Sequence, residues 1–189
     1  GYPDLRRVIK AQLDQPDDTY QSVFASYLGA GVMFNGGAGI GQTTFTRWPI
    51  LEAHRFAVPG GLRIVLHVRV ASGQEVIDTY NVHLEGARSE DAQAAEIRSV
   101  LDFIESTASP DGSVLVGGDF NTTDDEIAHR MMREAGFVDL GAASGLRCDD
   151  EVRTGCTNSN LPLDTPGLRS TRRIDFLYLR SSARTSGKM

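Results

Sequence analysis

Val114-Leu115-Val116-Gly117-Gly118-Asp119-Phe120-Asn121 is the stretch on which the reading of this chain turns. Three consecutive aliphatic residues, two of them β-branched, describe a short apolar strand. Two glycines follow, which let backbone approach backbone closely where side chains would block it. An acid then stands at the strand end, beside apolar neighbours. An ionised carboxylate there is costly unless it is paired, hydrogen-bonded or metal-bound. Asp-x-Asn can also send two hard oxygens to one point, the donor type that Mg²⁺, Mn²⁺ or Ca²⁺ select. The plainer alternative is a loop in which Asp119 and Asn121 only cap turns.

Upstream, Ser89–Glu105 reads as a helix with Ile97, Val100, Leu101 and Ile104 on one stripe and Ser89, Glu90 and Asp91 at its start. Before it lie two alternating runs that form a hairpin across Ala71-Ser72-Gly73-Gln74. In Leu62–Val70 the residues Leu62, Ile64, Leu66, Val68 and Val70 share one face. In Val76–Leu84, Tyr80, Val82 and Leu84 point one way and Thr79, Asn81 and His83 the other. Further upstream, Pro3–Leu13 reads as a helix with Leu5, Val8, Ile9 and Leu13 on one face. Tyr20–Phe34 is β-prone but broken by Gly29 and Gly31, and a glycine-rich turn, Gly36–Gly41, leads into a strand at Thr43–Phe45. Downstream, Thr123 and Glu126 form a capping box for a helix through Ala135, ended by Gly136 with Phe137 as its apolar contact. Gly141–Arg169 is a long polar loop, Arg173–Leu179 a final central strand, and 181–189 a loose polar tail.

The chain has 189 residues, 40% hydrophobic and 23% charged, with a net charge of −6. That fits one domain over 1–189 with a sizeable core and excludes overall disorder. Apolar runs such as Ile64–Leu66 are far short of the roughly 20 residues a membrane helix needs. The acidic balance disfavours nucleic-acid binding by charge alone but not an enzyme with a locally basic cleft. Cys148 and Cys156 are too few for a disulfide scaffold or a four-cysteine zinc site. They are read either as one loop-closing disulfide, which places the chain outside the cytosol or in a periplasm, or as two free thiols.

Other motifs weaken on inspection. Gly36-Gly37-Ala38-Gly39-Ile40-Gly41-Gln42-Thr43 imitates a phosphate-binding loop but has Gln42 where lysine belongs, and a strand follows it. His83-Leu84-Glu85 lacks the cysteine pair of a zinc deaminase. No Gly-x-Ser-x-Gly elbow is present.

Asn81-Val82-His83-Leu84, Gly117-Gly118-Asp119-Phe120-Asn121 and Arg173-Ile174-Asp175-Phe176, in that order and spacing, resemble successive motifs of the endonuclease/exonuclease/phosphatase (DNase I-like) family. Arg47-Trp48-Pro49-Ile50 is similar to the Ser-Arg-Tyr-Pro-Ile segment that often precedes them. The resemblance runs from about residue 20 to about residue 180. It implies an α+β fold, a four-layer α/β/β/α sandwich of two mixed sheets flanked by helices. It also implies a divalent-metal-dependent phosphoric ester hydrolase, nuclease-like or a phosphodiesterase, using in-line attack by an activated water. Mg²⁺, or Mn²⁺ or Ca²⁺, is the implied cofactor, and the implied substrate is nucleic acid, phospholipid or a small phosphate ester.

Carried over, Asp119 and Asn121 hold the metal and position the water. His83 hydrogen-bonds the phosphate or protonates the leaving oxygen, Asn81 supports that site, and Asp175 orients a further histidine. Arg172 and Arg173, with Arg169, are expected to border the cleft and attract the anionic substrate, or else to sit on a solvated loop. Substrate choice is expected in Ser72–Glu75 and Gly141–Arg169. The family's Gln-Glu motif falls just upstream of the Pro3 helix and its Ser-Asp-His beyond Met189, and neither is in the chain. The expectation is therefore a monomeric internal segment, incomplete at both ends and weakly active or inactive alone. The alternative is a non-catalytic binding module on the same scaffold that has lost the metal-binding glutamate and catalytic histidine.

Overall fold

A computed structural model describes residues 5–15, 19–29, 31–35, 39–85, 89–149, 151–159 and 170–182. Two β-sheets stack face to face. The smaller holds β1 (Gln21–Ser26), β2 (Val32–Phe34) and β3 (Gly41–Thr46) in the order β2-β1-β3, antiparallel throughout. The larger holds β4 (Ile50–Ala57), β5 (Ile64–Ser72), β6 (Glu75–His83), β7 (Ser113–Asp119), β8 (Val138–Asp139) and β9 (Asp175–Arg180), in the order β4-β5-β6-β7-β9-β8. It is mixed, because β6 and β7 run parallel while its other neighbours are antiparallel. Parallel neighbours need a crossover, and α2 (Glu90–Thr107) supplies it.

The alternation in β5 divides the core in two. Ile64, Leu66, Val68 and Val70 face Val23 and Ala25 of β1 and form the layer between the sheets. Val65 faces the other way, with Tyr80, Val82, Val114, Val116, Phe176 and Tyr178, into a cluster closed by Ile97, Val100 and Ile104 of α2 and by Ala128 and Met132 of α3 (Ile127–Glu134). Each fully buried aliphatic side chain is worth about 1.5–3 kcal/mol, so both contacts are strongly driven. On the outer side of the small sheet, Arg6 of α1 (Leu5–Leu13) lies over the Phe24 ring at 4.3 Å. The layers thus run α, β, β, α, and the α+β sandwich expected from the sequence is observed. The apolar stripe of α1 stays largely open: Leu5, Val8 and Ile9 are exposed.

Local signals hold with adjustments: β5 begins at Ile64 and leaves Leu62 exposed, and a short helix, α4 (Leu140–Ala143), opens the expected polar loop. Ser89 caps α2 by accepting from the Ala92 amide. Glu126 accepts from the Thr123 amide at 2.7 Å, as a capping box requires, but that pair closes a separate turn and α3 begins only at Ile127. Gly136, at φ +83°, ends α3: its amide bonds Arg133 O while the Phe137 amide bonds Met132 O, a Schellman closure. The final strand starts at Asp175, two residues later than the apolar pattern suggested, and only two-residue β8 flanks its outer side. Pro3, the start of the Gly36 turn, Arg169 and residues 183–189 of the expected tail lie outside the described residues; Ser182 is buried, its amide donating to Ser113 Oγ.

Candidate active site

Three neighbouring strands of the large sheet bring the motif residues into one row. His83 at the end of β6 pairs in register with Asp119 at the end of β7, and Asp119 with Asp175 at the start of β9. Directly paired residues put their side chains on the same face. That face looks toward the small sheet, because Tyr80, Val82 and Phe176 occupy the helix side. Asn81 stands one pleat below His83, opposite Gly117, and its amide donates to Thr43 O of β3 at 3.2 Å. Gly117 has no side chain, and a cavity of about 280 Å³ opens there, lined by Thr44, Trp48, Asn81, Gly117 and Leu177 among others.

The glycine pair is what allows Asp119 its place. Gly118 has φ +142°, and a Cβ there would lie 2.0 Å from Val82 O. Only glycine lets β7 close on β6 one residue before the acid. Asp119 Oδ1 accepts the Asn121 amide at 2.8 Å, and Asn121 sits at φ +53°, a region asparagine tolerates. Asn121 Nδ2 donates to Leu84 O at 2.8 Å. The turn-capping role is therefore real. Asp119 Oδ2 remains turned to His83, 3.8 Å from Nε2. The Asn121 amide oxygen, opposite its donated nitrogen, is a second hard donor. Among the described residues no group of three His, Cys, Asp or Glu is set to hold a metal. Asp119 and Asn121 thus fit a hard cation in donor type and supply part of a coordination shell.

On its other side His83 meets residues the sequence did not single out. Tyr27 Oη is 2.8 Å from Nδ1 and Arg63 Nη1 is 3.5 Å from it. Arg63 also pairs with Glu85 at 3.6 Å. Partial burial lowers the proton affinity of His83, the Arg63 charge lowers it further, and Asp119, Glu85 and Asp175 pull the other way. The net direction is down, so His83 is neutral near pH 7. Burial likewise holds the Tyr27 phenol protonated. Neither Tyr27, inside a β-prone run, nor Arg63, inside the expected Leu62–Val70 strand but just ahead of β5, carries a local signal; only the stacking of the sheets brings them to His83.

Asp175 is exposed at its strand end, and Thr157 Oγ1 accepts the amides of Ile174 and Asp175 at 3.2 and 3.1 Å. Thr157 follows Cys156, which is disulfide-bonded to Cys148. A second cavity, about 410 Å³, opens beside Asp175 and is lined by Leu140, Leu146, Thr154, Thr157, Arg173 and Leu177 among others. Arg172 and Arg173 lie just before Asp175, and Arg173 lines the same cavity. Arg173 is buried, ion-paired with Asp139 and stacked on Phe176 at 4.3 Å. Arg172 bridges Asn158 through its backbone. Ser72–Glu75 closes the β5–β6 hairpin at the far end of β6, eight residues or about 25 Å from His83. It does not border the row. The length of β6, nine residues from Glu75 to His83, sets this distance.

A sequence profile of the Endonuclease/Exonuclease/phosphatase family matches residues 3–187. The chain belongs to the endonuclease/exonuclease/phosphatase family. Members of this family are hydrolases that act on phosphoester bonds. No curated protein sequence matches the chain. Among solved structures, TDP2 from D. rerio complexed with a single-strand DNA product is similar at 20% identity and TM-score 0.66, over 95% of this chain and 67% of that one. The human Nocturnin catalytic domain with a bound sulfate anion matches at 12% and 0.64, over 94% and 65%. A family protein from Leptotrichia buccalis C-1013-b matches at 17% and 0.62, over 96% and 70%. At these identities the likeness establishes the fold that the three structures share with this family member. The chain spans about two thirds of their lengths.

Proposed function

We propose that this chain carries the phosphoryl-binding floor of a divalent-metal-dependent phosphoric ester hydrolase, working by in-line attack of an activated water. The observation that carries the reading is the register row His83–Asp119–Asp175, which assembles three separate motifs on one strand-end face. A divalent cation, Mg²⁺ or else Mn²⁺ or Ca²⁺, would be held by Asp119 and Asn121 and would neutralise charge on the phosphoryl oxygens. Asp119 Oδ2 accepts a hydrogen bond from the attacking water and orients it. His83 donates to a phosphoryl oxygen, where a donor aimed at developing charge is most effective. Asn81 supports the floor from one pleat below. Asp175 is open to accept the N–H of a histidine acting as base.

Nucleic acid, phospholipid and small phosphate esters all present the same tetrahedral anion. The DNA product in the TDP2 relative supports the first of these, and the sulfate in Nocturnin supports an oxyanion site generally. The Cys148–Cys156 bond supports an extracellular or periplasmic setting. The test is hydrolysis of bis(4-nitrophenyl) phosphate with Mg²⁺ by the whole protein, with EDTA and Asp119→Ala as controls. We expect either control to reduce the rate by roughly 10²- to 10⁴-fold. Wild-type rates no higher than those of Asp119→Ala would overturn the hydrolase reading in favour of a binding module on this scaffold.

A further inference from the structure

Tyr27 has no part in the row itself, yet it touches it and is held firmly in place. Its amide donates to Ile40 O at 3.1 Å. From the neighbouring sheet, Arg55 of β4 donates to Ser26 O at 3.0 Å and to Tyr27 O at 2.9 Å. The end of β1 is thus clamped from both sides, and the phenol reaches His83 Nδ1 at 2.8 Å. Arg63 adds a second constraint. A guanidinium can only donate, and Arg63 Nη1 lies 3.5 Å from the same Nδ1, with its carbon 5.7 Å from the Tyr27 ring centroid. A proton on Nδ1 would face this cation. A lone pair there is favoured by it and can accept the Tyr27 hydroxyl hydrogen. In a neutral imidazole the ring proton must then sit on Nε2, the nitrogen that faces Asp119 Oδ2 and the open side of the row.

We propose that Tyr27 is a positioning residue that, with Arg63, holds His83 as its Nε2–H tautomer, making His83 a neutral hydrogen-bond donor to the substrate phosphoryl group rather than a base. The tautomer assignment stands on contacts alone, whereas the donor role rests on the hydrolase reading above. In that role no proton is transferred at His83: Nε2–H is shared with a phosphoryl oxygen and stays on the ring. The small sheet then contributes to the chemistry through a single hydroxyl, although the residues of the row all belong to the large sheet.

The experiment is long-range ¹H–¹⁵N spectroscopy of the ¹⁵N-histidine-labelled protein in mildly alkaline buffer, with His83 assigned by the resonances lost in His83→Gln. Wild-type protein should show an unprotonated Nδ1 and a protonated Nε2 at His83. In Tyr27→Phe, which keeps the ring packing, the pattern should shift toward a mixture of tautomers, while the signals of His54, His67 and His129 stay in place. Arg63→Gln should shift it the same way, which guards against a folding defect peculiar to one variant. A protonated Nδ1 in wild type, or an unchanged His83 pattern in both variants, would overturn the proposal. In turnover assays of the whole protein Tyr27→Phe should lower kcat about three- to tenfold, the kinetic weight of one neutral hydrogen bond, with KM little changed. An unchanged kcat would remove the donor role. If no turnover is found even in wild type while the tautomer shifts as described, the hydrolase reading fails and the positioning by Tyr27 stands.

Discussion

At Gly118 a single hydrogen atom decides whether the site exists. Its φ of +142° and the 2.0 Å gap between a notional Cβ and Val82 O leave no room for any other residue. Gly118→Ala should cost on the order of 3 kcal/mol, from backbone strain and from pushing β7 off β6. Urea unfolding of the variant checks this, with a loss under 1 kcal/mol counting against the close approach. Gly117 is different: its Cβ would meet only the end of the Leu177 side chain, at 2.9 Å, which can move. The two glycines look alike in the sequence, and only the register shows that one is needed for β-pairing and the other for space. The same holds for the arginines. Arg172 and Arg173 are adjacent, yet Arg173 has its charge matched by Asp139 and its plane on Phe176, whereas Arg172 is partly exposed. Local composition could not tell a buried ion pair from a substrate contact.

Elements were legible where their signals are local. The α2 stripe, its Ser89 cap, the β5–β6 hairpin and the glycine end of α3 all follow from rules acting within a few residues. Gly136→Ala tests one of them: forcing an L side chain to φ +83° should cost about 1 kcal/mol and lower Tm by several degrees. A thermal melt unchanged within error would show that the Schellman closure contributes nothing. The Thr123–Glu126 pair does not start α3, because only one capping-box bond forms: Glu126 accepts the Thr123 amide, while the Glu126 amide bonds the Thr123 backbone carbonyl and closes an isolated turn. The β9 boundary moved because Arg173 and Ile174, though apolar-flanked, are held by Asp139 and by Thr157 outside the ladder. In the second case a tertiary contact outweighed propensity.

The whole molecule carries two further predictions. His129 is fully buried between Tyr178 and Thr122, and burial lowers its pKa to about 4 from 6.5. The unfolded chain takes up a proton near 6.5 and the folded one only near 4. Stability is therefore full above the higher value, falls as pH drops through the interval, and levels off below it, for a total of about 3 kcal/mol. Urea titrations across this range should show that slope, and His129→Gln should flatten it; parallel profiles would refute the assignment. The second prediction concerns cation binding. If Asp119 and Asn121 contribute to a cation site, Mg²⁺ or Mn²⁺ at about a hundred times its Kd should stabilise the fold by about 2.7 kcal/mol. Asp119→Ala should abolish the shift, and a shift of the same size in wild type and variant would locate the cation elsewhere. Calorimetry reads this without any substrate.

From its residues alone the chain determined its class, its strand faces and the identity of the row. Alternation assigns His83 and Asn81 to one face of β6, and a costly carboxylate at the end of an apolar strand marks Asp119. These are short-range facts, set by the period-two pleat and by the desolvation of charge. Tertiary structure alone decided that β6, β7 and β9 are neighbours, that His83, Asp119 and Asp175 fall in register, and that Tyr27 and Arg63 stand behind the imidazole. Strand order and sheet stacking depend on which buried faces fit one another across long stretches of chain. No window of sequence contains both sides of such a contact.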